Sequence, residues 1–301
     1  MTAAPSPDTA AARVRRIGLG TAQFGLAYGI SNSGGQVPLE MVRAILARAT
    51  KLGITHLDTA PAYGTAESVV GAVIVGLPQL TVSTKTLAYG ATAEAIATAV
   101  RTSIATLKRQ PIDALLIHDT RTLLGPEGDA IWRVLLDARE HGLCRSIGIS
   151  AYYEQDPLAL AIRFTPDLMQ LPLSLLDQRL VRTGTLARLK NHGVALHARS
   201  LFLQGLPFLP HDKLPPRLRS AAPRLDEIRY AITSHGLTLV EALVAYVLNQ
   251  PEIDVALVGV TSVAELDEIA AAARRRVTGL AWETLAIDDP VVLTPMLWNA
   301  T

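Results

Sequence analysis

Short runs of β-branched and apolar residues alternate along this chain with longer Ala/Leu-rich segments whose apolar positions recur at helical spacing. The first run is Arg16-Ile-Gly-Leu-Gly20, and a Gly-rich stretch leads from it to Pro38. A segment follows in which Met41, Ala44, Ile45 and Ala49 mark one helical face, with Gly53 as its stop. The same reading predicts strands over Ile54 to Asp58, Leu80 to Thr84, Ile112 to Ile117 and Cys144 to Ile149. Between them it predicts helices over Ala66 to Val75, Ala91 to Lys108 and Glu127 to His141. The second half repeats the pattern less cleanly. It gives strands Asp167 to Leu171, Gly193 to Ala198 and Val255 to Val258, and helices Pro157 to Arg163, Val181 to Asn191, Arg217 to Ser234, Leu239 to Asn249 and Val263 to Arg275. A Pro-rich connection spans Leu206 to Pro216, and the mixed tail from Thr278 is expected to pack back on the body.

Several predicted strands, such as Ala114-Leu-Leu-Ile117 and Val255-Ala-Leu-Val258, are apolar throughout. A strand covered on both faces needs this, and the strand–helix alternation implies parallel strands. About eight βα units with no linker between halves favour an α/β fold closed as a single (β/α)8 TIM barrel over an open doubly wound sheet. Residues 14–301 are expected to form that barrel, and residues 1–13 a disordered lead.

Composition narrows the partners. The 301 residues carry 28 Lys+Arg against 27 Asp+Glu, a net charge of +1. That balance gives no electrostatic reason to expect nucleic acid or an anionic membrane. No uncharged apolar run reaches the roughly 18 residues of a membrane span, and the first residues lack the apolar middle of a signal peptide. A lone Cys144 cannot form an internal disulfide. A cytoplasmic protein is the expectation, and its oligomeric state is not legible.

In a (β/α)8 barrel, chemistry sits at the C-terminal ends of the strands and in the loops after them. Asp58, Lys85 and His118 end the second, third and fourth predicted strands, and Tyr63 lies in the loop after Asp58. Neighbouring strands are about 4.8 Å apart, so these four side chains are expected in one small volume. Each alone has a structural explanation: a helix cap for Asp58, loop packing for Tyr63, a surface charge for Lys85, a satisfied histidine for His118.

Together with their surroundings they resemble the aldo-keto reductase superfamily. The resemblance rests on Gly18-Leu-Gly-Thr-Ala-Gln-Phe-Gly25, on Leu57-Asp-Thr-Ala-Pro-Ala-Tyr-Gly64 with Glu67-Ser68, and on Thr84-Lys85, Leu116-Ile-His118, Ile147-Gly-Ile-Ser150, Met169-Gln170 and Leu257-Val-Gly259. Gln170-Leu-Pro-Leu-Ser-Leu-Leu-Asp-Gln178 and Arg199-Ser-Leu-Phe-Leu-Gln-Gly205 are similar to a bacterial branch associated with sugar and cell-surface polysaccharide pathways.

The resemblance implies a nicotinamide-dependent oxidoreductase that interconverts an aldehyde, ketone or sugar with its alcohol, with Tyr63 as the acid. A phenol, with an ordinary pKa of about 10, is a poor proton donor at neutral pH. An ammonium stabilises the phenolate, since opposite charges at about 4 Å interact by roughly 4 kcal/mol at an effective dielectric of 20. Lys85 would supply that charge, Asp58 would hold Lys85, and His118 would orient the substrate oxygen or relay the proton. For the cofactor the resemblance implies Thr21 and Asp58 near the nicotinamide, Ser150 and Gln170 on its carboxamide, and Arg199, Ser200, Leu201 and Gly205 toward the pyrophosphate. Gly259, Thr261, Ser262 and Glu265 would meet the adenosine end, where a helix start suits an anion.

Four positions depart from the family pattern. Ala151 replaces the Asn that frequently follows Ser150, and Arg199 stands where many members place an aromatic residue. Glu265 and Ile269 stand where many carry the Arg and Asn of the NADP 2′-phosphate site. A carboxylate repels that phosphate, so either NADP or NAD is expected, with NAD a serious candidate. Specificity is expected in the loops after Thr21 and Asp119, in Leu206 to Pro216 and in the tail near Trp298.

Two other readings compete: a nucleotide-binding regulator without turnover on the same scaffold, and a metal-dependent barrel hydrolase or lyase. His56 shares a strand face with Asp58 and His197 falls on the seventh strand, but two such residues do not close a metal site. Core packing is the expectation for His56. Gly18-Leu-Gly20 lacks the third glycine of a dinucleotide fingerprint, since Gln23 stands there. Gly148-Ile-Ser150-Ala-Tyr152 lacks the last glycine of a nucleophile elbow.

Overall fold

The structure is a computed structural model, and it describes residues 9–298. Eight strands form the inner wall: β1 (Ile17–Gly20), β2 (His56–Asp58), β3 (Thr81–Lys85), β4 (Ile112–Ile117), β5 (Cys144–Ser150), β6 (Leu168–Pro172), β7 (Ala195–Arg199) and β8 (Val255–Gly259). They pair in chain order, all parallel, and β8 returns to β1 to close the barrel. The expected (β/α)8 architecture is therefore the observed one.

Alternation along the strands divides them into two cores. Ile17, Leu19, Leu57, Val82, Leu115, Ile117, Ile147, Ile149, Met169 and Leu171 face outward and join the surrounding helices in one large apolar cluster. The other parity points inward, where Ala114, Leu116 and Leu168 form a small separate cluster with Ala195. That interior is partly polar: His56 shares it with Ser83 and His197, just below the strand ends.

The helices explain themselves through the same burial logic. Leu39–Leu52 buries Val42, Ile45, Leu46 and Ala49 and stops at Gly53 with φ 80°. Met41 and Ala44, expected on its inner face, are exposed, because the buried stripe is turned by one position. The single helix expected over Val181 to Asn191 is two pieces, Arg179–Arg182 and Thr185–Asn191, separated where Gly184 adopts φ 65°. Among the described residues, no single helix is long and apolar enough to cross a membrane.

The lead is shorter than expected. Ala10–Arg15 is helical, capped by the Thr9 side chain, and Arg13 is buried with its Nε donating to the Ala273 carbonyl at 3.0 Å. Arg16 donates to the carbonyls of Leu248, Gln250 and Ile253 at 2.7–2.8 Å. These charge-assisted bonds tie the chain's start to the N-terminal end of the barrel, which the polar, Ala-rich sequence did not signal. The remainder of the expected lead, residues 1–8, lies outside the described residues.

Candidate active site

The strand register sets the site. Gly20 pairs with both Asp58 and Gly259, Lys85 with Leu116, and Ser150 with Gln170. Every strand thus delivers a residue of its inward parity to the C-terminal rim. Asp58 and Lys85 are only 4% and 2% exposed, so their charges must compensate each other. They do: Lys85 Nζ donates to Asp58 Oδ2 at 2.6 Å, to the Thr59 carbonyl at 3.0 Å, and lies 3.4 Å from the Tyr63 hydroxyl. Burial alone would push the Lys85 amine down, but Asp58 and Tyr63 outweigh it and hold the ammonium above the ordinary lysine value.

Tyr63 is placed by two glycines. A Cβ on Gly25 would lie 1.9 Å from the Tyr63 carbonyl oxygen, and one on Gly64, at φ 58°, would lie 2.5 Å from the Gly25 oxygen. The turn after β1 can lie flat on the Tyr63 loop only because both side chains are absent. Thr65 N–H donates back to the Gly25 carbonyl at 3.4 Å. His118 stands edge-on to Tyr63, ring centroids 5.8 Å apart. Burial, then the Lys85 charge, lowers its pKa to about 4, so it is a neutral imidazole at pH 7.

All four residues line one cavity of about 1060 Å³. From them it runs past Ser150, Arg199, Ser200, Leu201 and Gly205 to Gly259, Thr261 and Glu265. Gln170 is fully buried and does not itself line the cavity; its Nε2 donates to Asp58 Oδ1, while its Oε1 has no partner. The structure therefore brings together most of the residues expected from the sequence; besides Gln170, two do not reach the cavity wall. Thr21 is fully buried off the cavity wall, and its hydroxyl donates to the Asp58 carbonyl at 3.0 Å. Ser262 does not line the cavity either; its Oγ caps the helix Val263–Arg274 by accepting from Glu265 N–H. Both hydroxyls are consumed by the scaffold.

Other lining residues were not singled out beforehand. Tyr28, Tyr152 and Gln204 crowd the mouth near Tyr63, and burial raises Tyr28 to about 12. The Arg199 guanidinium lies 4.2 Å above the Tyr152 ring. An aromatic two positions after a strand-end serine was the available signal for Tyr152; Tyr28 has none, since it lies in an irregular loop. The expected specificity loops do contribute, through Ser31 and Asn32, Asp119 and Arg121, Phe208, and Pro295 with Met296.

His56 is not beside a metal cluster. Its ring sits between Thr81 and Ser83 hydroxyls, both at 3.2 Å, and edge-on to His197 at 4.7 Å. Burial holds His56 down at about 3, as a neutral core group. Among the described residues no three His, Cys, Asp or Glu side chains come together as a metal site.

The cavity suits an elongated cofactor with an amide at one end. Gln170 Oε1 and Arg199 Nε, an acceptor and a donor, are buried and unpartnered, and buried polar atoms of this kind call for a partner. Ser200, Leu203 and Gln204 adopt left-handed φ of 64°, 40° and 54° in the lining loop, a strained conformation of the sort that collects at binding sites.

Residues 16–285 match the model of the aldo/keto reductase family. The chain is 27% identical to an L-galactose dehydrogenase of Arabidopsis thaliana over 311 aligned positions, covering 93% of this chain and 92% of that one. It is 34% identical to an aldo-keto reductase of Mycolicibacterium vanbaalenii, an alignment taking in 54% of this chain and 58% of the relative. Among solved structures, an aldo-keto reductase of Bacillus halodurans in its holo form superposes with TM-score 0.74 at 20% identity over 94% of both chains. A glycerol dehydrogenase of Gluconobacter oxydans gives 0.68 at 22% identity, over 87% of this chain and 88% of that one. These two likenesses speak to the fold.

Proposed function

The chain belongs to the aldo/keto reductase family, and we propose that it is a nicotinamide-dependent oxidoreductase interconverting a small carbonyl compound or sugar with its alcohol. The observation that carries this reading is the buried Asp58–Lys85 pair set against the Tyr63 hydroxyl inside the large cavity. A reduced nicotinamide, when bound, supplies a hydride to the carbonyl carbon. Tyr63 gives its proton to the carbonyl oxygen, and the Lys85 ammonium stabilises the phenolate left behind. Asp58 holds that ammonium in place and neutralises it in the ground state. His118, kept neutral by burial, hydrogen-bonds the substrate oxygen and fixes its approach to Tyr63.

Ser150, with Gln170 paired beside it on β6, would hold the amide end of the cofactor, Ser200 to Gly205 its phosphates, and Gly259 to Thr261 with Glu265 the adenosine end. At that last end Glu265 and Glu268 line the cavity, and no Lys or Arg does among the described residues. Glu265 also accepts both the Thr261 N–H and hydroxyl at 2.7 and 2.8 Å. A 2′-phosphate would meet negative charge there, which favours NAD at least equally with NADP.

The test is to follow oxidation of NADH and of NADPH at 340 nm against a panel of aldehydes, ketones and aldoses. Turnover of members of the panel is expected. Nucleotide binding with no turnover anywhere would overturn the reading and favour a regulator on this scaffold.

A further inference from the structure

We propose that the carbonyl substrate carries an oxyanion group, a carboxylate or phosphate, and that Arg199 receives it; this rests on the oxidoreductase reading of the same cavity. Three cationic side chains line the cavity near Tyr63. Lys85 is matched by Asp58, and Arg121 by Asp119, whose two oxygens accept from its Nε and Nη2 at 2.5–3.1 Å. Arg199 has no carboxylate partner among the described residues, and its charge reaches both His118 and Tyr28. The active-site end is left with one uncompensated positive charge.

Its geometry is that of a receptor held ready. Tyr152 covers one face of the guanidinium at 4.2 Å, so the plane is fixed. Its polar edge is only loosely engaged: Nη2 donates to the Ala151 carbonyl at 3.3 Å, Nη1 to Ser200 Oγ at 3.4 Å, and the buried Nε to nothing. Nη1 and Nη2 each keep a second N–H beyond these long bonds, and such a planar fork matches the paired oxygens of an oxyanion. A half-buried guanidinium without a counter-charge is costly, and an anionic substrate would remove that cost.

Matched pairs of substrates test this: butanal against succinic semialdehyde, glucose against glucuronate, glyceraldehyde against glyceraldehyde 3-phosphate. For wild type, kcat/KM is expected to favour an acidic member about 10- to 100-fold, the range given by one or two charge-assisted hydrogen bonds. Whether the carboxylate or the phosphate pair shows the preference identifies the oxyanion. In Arg199→Met that ratio should collapse toward one through KM of the acidic member, and Arg199→Lys should keep part of it. Equal or better use of the neutral members by wild type would overturn the proposal. So would an Arg199→Met loss shared equally by both members and mirrored in nucleotide affinity, which would assign the guanidinium to the cofactor phosphates. If wild type reduces no carbonyl at all, the oxidoreductase reading fails separately. Calorimetric titration of succinate and inorganic phosphate then decides the oxyanion site: binding that Arg199→Met abolishes supports it, and absent or unchanged binding overturns it.

Discussion

Gln170, in the middle of β6, donates its side-chain amide across the barrel to the Asp58 carboxylate on β2, and the other oxygen of Asp58 accepts from Lys85. The carboxylate is thus gripped from both sides, and the ammonium it holds is fixed with it. Replacing Gln170 by Met leaves one buried Asp58 oxygen without its donor, which costs roughly 1–3 kcal/mol of stability. Chemical denaturation should read that loss. Nucleotide affinity should fall in parallel, since the same change removes the unpartnered Oε1 and loosens Asp58, which lines the cavity.

Gly25→Ala should damage turnover without touching an ionisable group. The new methyl would lie 1.9 Å from the Tyr63 carbonyl oxygen, so the loop must move. Forcing a methyl into such a contact costs about 1–3 kcal/mol, and kcat should fall more than the nucleotide affinity does. Gly76→Ala is the control, since nothing lies within 4 Å of its Cβ position.

Acid should weaken the fold before the carboxylates titrate. Burial lowers His56 from 6.5 to about 3 and His118 from 6.5 to about 4, and it lowers His197 as well. In the unfolded chain these rings take up protons near pH 6.5, while in the folded protein His56 and His118 stay neutral well below that and His197 resists protonation in the same direction. The unfolded state then binds more protons, so stability falls as pH drops below about 6.5. Thermal melts should give a Tm that declines steadily from pH 6.5 to 4.5, and a flat Tm there would contradict the buried neutral rings.

Glu265→Arg should shift nucleotide preference toward NADPH by converting a repulsive contact into an attractive one. The substitution also frees the Thr261 N–H and hydroxyl that Glu265 now engages. Fluorescence titration of both reduced nucleotides reads the outcome. A large NADPH preference in the unaltered protein would overturn the role given to Glu265.

The barrel was legible because its strands carry the outward apolar parity so fully: Leu115, Ile117, Ile147 and Ile149 cannot be confused with loop. Asp58, Lys85 and His118 were legible for the complementary reason, as polar residues closing apolar strands. Residues whose role is decided by a partner far along the chain were not. Thr21 reads like a site residue, yet its hydroxyl serves the Asp58 carbonyl, and Arg13 reads like a solvated lead yet bonds 260 residues away. The inward parity hid a polar core, because His56 and His197 meet only when β2 and β7 face each other across the barrel.

The central claim is that the Tyr63 hydroxyl delivers the proton. Single-turnover oxidation of bound reduced nucleotide by an accepted carbonyl, measured for wild type and Tyr63→Phe, tests it most directly. The account predicts that Tyr63→Phe binds nucleotide with nearly unchanged affinity and loses turnover by a factor of roughly 10² or more, in line with the loss of a general acid. Turnover within a few-fold of wild type would contradict it.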